Sequence, residues 1–147
     1  MYFVSITRLR LRNLINLPAF IMANEASIRS IRNVNGFISG KELVDKKLTF
    51  WTVTIWESDQ AMKYFRNNEP HRKAMQKISD WCDEGAYAHW LQDDVVIPSW
   101  DILHQKLMAE GKITKLKSPS VQHLAFSHPA PVWRKIERQF KFKVSSM

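Results

Sequence analysis

Apolar and polar positions along this chain change period several times, and each change marks an element. In residues 2–11, Tyr2, Val4 and Ile6 project to one side and Phe3, Ser5, Thr7 and Leu9 to the other. This is the period-two signature of a strand apolar enough to be buried on both faces. Arg8, Arg10 and Arg12 fall on one side of its far end, which reads as a solvated strand end or as an anion-binding rim. Pro18 suits a first helical turn, where its missing N–H is not needed. From Ala19 to about Asn33, Phe20, Ala23, Ala26, Ile28 and Ile31 keep approximate helical spacing, and Asn35-Gly36 ends the helix. Residues 37–45 and 48–57 read as strands, and the short polar turn at Lys46-Lys47 makes them an antiparallel hairpin.

Ser58 is a good N-cap for a helix with Met62 and Phe65 facing inward. Glu69-Pro70 cannot continue that helix without losing a hydrogen bond, so a fresh helix starts near Asn68. On it His71, Met75, Ile78 and Cys82 recur at three-to-four spacing. Gly85 punctuates, and residues 86–92 form a fourth strand with His89 in its interior. The order β-α-β-β-α-β predicts an α+β, ferredoxin-like fold with helices on one face of a four-stranded antiparallel sheet. The other face, carrying Phe3, Phe50 and Trp56, then needs cover, and a homodimer partner is the expected lid. Pro98 opens a further helix over 99–109, with Trp100, Leu103 and Leu107 on one side and Gly111 closing it. Residues 112–131 show no regular period. In residues 132–142, Val132, Ile136 and Phe140 line up opposite basic residues and predict a C-terminal amphipathic helix. The chain divides into a domain over 1–111 and a basic extension over 112–147.

The third strand has two faces of different kind. Trp51, Val53 and Ile55 make a face suited to helix packing, whereas Phe50, Thr52, Thr54 and Trp56 mix aromatics with hydroxyls, as a cavity wall does. Four of the six tryptophans and two of the five histidines lie within residues 48–90, so any site is expected along this unit.

Composition narrows the function classes. With 147 residues, 45% of them hydrophobic, the chain can bury one core. Its one cysteine excludes an intramolecular disulfide and a clustered-thiolate metal site, and a reducing cytoplasm fits. No apolar run approaches the roughly 20 residues of a membrane-spanning helix, and no secretory signal pattern is present. The formal charge of +8 invites a nucleic-acid reading. Residues 112–147, however, hold eight lysines and arginines against Glu137 alone, so the basicity belongs to the extension and nucleic acid is not the expected partner of the domain. A basic amphipathic helix there would suit peripheral contact with an anionic membrane.

The segments GFISGKELVD, LTFWTVTIWESDQAMKYFRN, PHRKAM and DWCDEGAYAHW resemble an uncharacterised bacterial family of the dimeric α/β-barrel superfamily, the group of antibiotic-biosynthesis and haem-degrading monooxygenases. This stretch is also similar to spheroidene monooxygenase-like proteins. The resemblance spans about residues 1–110 and implies a homodimeric barrel. It further implies that a helix histidine, here His71, would be the iron ligand of any bound haem, the cofactor that some members carry. Where the haem degraders have an asparagine on the first strand, this chain has Ser5 and Thr7.

These readings converge on a monooxygenase-like oxidoreductase acting on a small hydrophobic substrate, either with haem on His71 or without a cofactor. The alternative is a non-catalytic dimeric barrel that binds a hydrophobic ligand or serves in assembly. His71 and His89 are the candidate acid–base groups. Arg66 and Arg72 flank the His71 turn and would neutralise propionates or another carboxylate. Phe50, Thr52, Thr54, Trp56 and Phe65 are the candidate substrate wall. No nucleophile elbow, phosphate-binding glycine loop or HExxH motif occurs.

Overall fold

The computed structural model describes residues 1–45, 47–131 and 136–143. Strand β1 (Tyr2–Leu11) leads through one 3-10 turn into α1 (Leu17–Ile31), with Pro18 in its first turn as its missing N–H allows. Gly36, at φ +95°, turns the chain into β2 (Phe37–Val44), and a Cβ there would also come within 2.6 Å of Ala61. The β2–β3 turn is held by the buried Asp45, whose Oδ1 accepts from the backbone N–H groups of Lys47 at 2.9 Å and Thr49 at 3.3 Å. Strand β3 (Thr49–Trp56) then runs to Ser58, whose hydroxyl caps α2 (Asp59–Asn67) by accepting from Ala61 N–H at 3.2 Å. The expected break follows: α3 (Glu69–Trp81) starts afresh after Asn68.

Strand β4 (Cys82–Gln92) begins four residues earlier than the pattern suggested, so Cys82 ends α3 and Gly85 lies within the strand. Thr114 Cβ would sit 3.0 Å from a Cβ at Gly85, so close approach of the following segment, not a turn, explains this glycine. Helix α4 (Trp100–Glu110) closes at Gly111 as its pattern indicates, but it is opened by the Ser99 hydroxyl as N-cap and Pro98 stays outside it. A two-residue strand β5 (Lys112–Ile113), a short helix α5 (Val121–Leu124) and strand β6 (Ile136–Lys141) complete the chain.

The sheet has six strands in the order β5-β4-β1-β3-β2-β6. The inner four keep the ferredoxin-like order, and the two additions come from the C-terminal extension, one at each edge. The helix expected over 132–142 is thereby corrected. Residues 132–135 lie outside the described residues, and 136–141 pair antiparallel with β2, Gly40 opposite Phe140. The physical reason is a degenerate period, since residues four apart share a side on both a helix and a strand. The open edge of β2 offers hydrogen bonds that only a strand can take up. Gly40 makes room, because a Cβ there would lie 2.4 Å from the Phe140 ring. The peripheral-membrane expectation rested on that amphipathic helix and loses its basis in residues 136–141. No helix among the described residues is long and apolar enough to cross a membrane.

Both faces of the sheet are covered by the chain itself, which corrects the argument for a partner as lid. Trp51, Val53 and Ile55 pack with Val4, Ile6 and Ala88 beneath Leu103 and Leu107 of α4. Each of the buried valine, isoleucine and leucine side chains contributes roughly 1.5–3 kcal/mol. The opposite face, with Phe3, Phe50 and Trp56, lies under α1, α2 and α3.

Arg8 and Arg10 are neither a solvated strand end nor a rim. They sit on the α4 side of β1, where both guanidinium groups donate to Glu84, at 3.0 Å and 2.7 Å. Arg8 also lies over the Trp51 ring and donates to His128 Nδ1 at 3.5 Å. His104 Nε2 donates to the carbonyl of His128, and the N–H of Gly85 donates to His123 Nδ1. This buried polar layer fastens residues 112–131 to the sheet, which the absence of a hydrophobic period could not reveal.

Candidate functional site

The cavity lies between the sheet and the three helices α1–α3, and its floor follows from strand register. Ser5 stands opposite Thr54 of β3 on one side and His89 of β4 on the other; Thr7 stands opposite Thr52 and Tyr87. Directly paired residues share a face, so two rows of hydroxyl and imidazole groups cross the floor. The roof is mostly apolar, with Phe20, Ile28 and Ile31 from α1, Met62 and Phe65 from α2, and Met75, Ile78 and Trp81 from α3. The cavity is partly open to solvent and its volume is about 380 Å³, within the range of small-molecule sites.

His71 and His89 line this one cavity, as do Arg66, Thr52, Thr54, Trp56 and Phe65. His71 lies against Phe65 at 4.6 Å between ring centres, the rings tilted by 43°, and its nitrogens make no hydrogen bond among the described residues. His89 contacts the rings of Phe3 at 5.1 Å and Tyr87 at 5.6 Å. Trp56 Nε1 donates to Thr54 Oγ1 at 2.9 Å, which satisfies the indole and leaves the threonine O–H free to turn into the cavity. Two expected members are elsewhere. Phe50 is buried against Phe20 at 4.5 Å and does not reach the cavity. Arg72 is exposed, because one residue beyond His71 the helix has turned about 100° away.

Among the contributors the pattern missed, three bear on the chemistry. Asn24 of α1 lines the cavity, on the face given by Phe20, Asn24, Ile28 and Ile31. Phe140 of β6 closes one end. Glu42 of β2 is buried behind Asn24 and Thr52, and Asn24 Nδ2 donates to both of its oxygens, at 3.0 and 2.8 Å. It stands opposite Thr52, one place away from the Trp51 pairing that a two-residue turn at Lys46-Lys47 would give, so its position was not readable from the hairpin.

Burial sets the charge states. It pushes His71 down to about 4, with the Arg66 charge adding to the effect. His89 is lowered in the same way, by burial first and then by Arg66, Lys112 and Lys63. Both rings are therefore neutral at physiological pH. Glu42 is raised by burial, against the opposing bonds from Asn24 and Arg138. Cys82, pushed up to about 12 by burial, is an inert thiol.

On the far side of the sheet His128 is also pushed down to about 4, by burial and by Arg8. The unfolded chain takes up these protons near pH 6.5 and the folded chain only near 4, so between those values the unfolded state binds more protons. Stability is thus expected to fall as pH drops from 6.5 to 4. The loss is on the order of 3 kcal/mol from His128, which is 2% exposed. Urea unfolding at pH 7 and pH 4.5 measures it, and His128→Asn is expected to flatten the slope.

Residues 17–77, from α1 into α3, match the family model described as antibiotic biosynthesis monooxygenase. No curated protein matches the chain. Among solved structures, Rv0793 from Mycobacterium tuberculosis is similar at 14% identity and a TM-score of 0.59, covering 66% of this chain and 100% of that one. SnoaB, a cofactor-independent oxygenase from Streptomyces nogalater, is similar at 11% identity and a TM-score of 0.52, covering 66% and 98%. A conserved protein from Methanosarcina mazei Go1 is similar at 8% identity and a TM-score of 0.57, covering 63% and 94%. These likenesses show the fold, a ferredoxin-like α+β sheet with helices packed on it. The family match spans the helices that roof the cavity together with strands β2 and β3.

Proposed function

We propose that this protein is a cofactor-independent oxygenase of a small, electron-rich aromatic substrate held in the cavity between the sheet and α1–α3. The observation that carries the reading is a single cavity with an apolar roof, a hydroxyl-lined floor and two neutral imidazoles. The family match over 17–77 and the likeness to a cofactor-independent oxygenase support it. His89 is the better base, since a conjugate acid near 4 makes His71 a weak one. In the reaction His89 takes a proton from the substrate. The electron-rich ring carbon then reduces oxygen and forms a C–O bond, and the resulting peroxide takes the proton back from His89 to become a hydroperoxide. Its O–O bond breaks as the remaining hydrogen on that carbon leaves with OH as water, giving a carbonyl. One oxygen atom ends in product and the other in water, with the substrate as the only reductant.

Haem fits these residues in one respect only. His71 offers an unpaired neutral imidazole, but about 380 Å³ suits a two- or three-ring molecule better than a tetrapyrrole with its propionates. No step is assigned to it.

An oxygen electrode tests the proposal with a panel of electron-rich fused-ring phenols, alongside haem titration followed by absorption. Oxygen uptake without added cofactor, with product of one added oxygen, is the expected result. Saturable binding of the panel without uptake would favour the ligand-binding alternative, and a Soret shift lost in His71→Ala would favour haem.

A further inference from the structure

Glu42 and its partners carry an inference about what the cavity recognises, one that rests on the reading that it holds an aromatic substrate. An ionised carboxylate offers only lone pairs. Asn24 therefore has to turn its amide nitrogen toward Glu42, which it does at 3.0 and 2.8 Å. The atom left over is Asn24 Oδ1, which makes no hydrogen bond among the described residues although Asn24 lines the cavity. Thr52 behaves alike: its hydroxyl donates to Glu42 Oε2 at 3.5 Å, so its free lone pairs are turned away from the carboxylate. Arg138 of β6 donates to Glu42 Oε1 at 3.2 Å and is itself held by Glu25. A strand outside the family-matched region thus supplies both the charge that opposes the cost of burying Glu42 and, through Phe140, one end of the cavity.

We propose that Glu42, clamped by Arg138, fixes the Asn24 amide and the Thr52 hydroxyl as acceptors, so that the cavity selects an aromatic ligand by a hydrogen-bond donor, an O–H or N–H group. A ligand carboxylate would meet two acceptor atoms backed by a like charge and is selected against. Glu42 acts through Asn24 and is a positioning residue. Its replacement by glutamine frees the Asn24 amide to present either end.

The test compares 2-naphthol with 2-methoxynaphthalene, which differ in the donor and little else, by fluorescence titration of the full chain. The native protein is expected to bind the naphthol about tenfold more tightly, the measure of one neutral hydrogen bond. In Glu42→Gln the ratio is expected to fall below about threefold while ether affinity stays unchanged. Asn24→Leu, which removes the acceptor and keeps the carboxylate paired with Arg138, should give the same loss if Glu42→Gln does not fold. Equal binding of both probes to the native protein, or undiminished selectivity in a folded variant, would overturn the inference and leave the oxygenase reading standing. Binding of neither probe would overturn both.

Discussion

Replacement of His89 by alanine is expected to lower kcat/KM for oxygen-dependent turnover by about 10²–10⁴-fold, the usual loss on removing a positioned general base. The geometry puts His89 on the hydroxyl-lined floor, in register with Ser5 and within ring contact of Phe3 and Tyr87. Its neutral form persists to more acid pH than a free imidazole, because burial and three nearby cations lower its pKa. The acid limb of kcat/KM in the native protein is therefore expected below the ordinary histidine value of about 6.5. His71→Ala distinguishes the two candidates. If His71 only shapes the cavity, the variant keeps most of kcat and the position of the acid limb; if it were the base, the acid limb would lie near 4 and His71→Ala would carry the large loss.

The second large effect concerns stability and arises on the opposite side of the sheet. Glu84→Gln is expected to destabilise the fold by about 3–5 kcal/mol, measured by urea unfolding, because it leaves a buried guanidinium without its counter-charge. Arg8 is 2% exposed and Glu84 likewise, so solvent cannot replace the lost partner. Burial pushes the Glu84 carboxyl up, but the bonds from Arg10 and Arg8 prevail and hold it below the usual carboxylate range. The double replacement Arg8→Met with Glu84→Leu is expected to cost less than Glu84→Gln alone, because it removes the charge together with its partner. Arg10, a third exposed at its side chain, then turns to water. A loss below about 1 kcal/mol in Glu84→Gln would mean that the pair behaves as a surface bridge.

Local signals carried far in the hairpin and the helix starts. Ser58 and Pro18 act at the first turns where their chemistry placed them, and the Glu69-Pro70 break separates α2 from α3. The division of β3 into a Trp51 face and a Thr52 face also holds, since alternation along a strand needs nothing but the strand itself. Which helices meet which face was not readable. The strand pattern puts the first two helical segments over Trp51, yet they roof Thr52 and Thr54, while α4 takes the Trp51 side. An apolar strand face attracts any apolar helix, and the choice between them is made by chain connection and packing.

The same limit applies to the site. His71, His89, Thr52, Thr54 and Trp56 were legible because each sits on a periodic face, while Phe50 was lost to the neighbouring core by contact with Phe20. Glu42, Asn24 and Arg138 come from three elements far apart in the chain, and no local pattern links them.

By itself the sequence determined the α+β alternation, the hairpin, the caps and the two-faced third strand, because these follow from periodicity and backbone chemistry within a few residues. Only the tertiary structure decided that residues 136–141 become a sheet edge, that Arg8 is buried on Glu84, and that Arg138 reaches Glu42 behind the cavity. Those outcomes depend on which unpaired edge or charge lies within reach after folding, and sequence distance does not encode that.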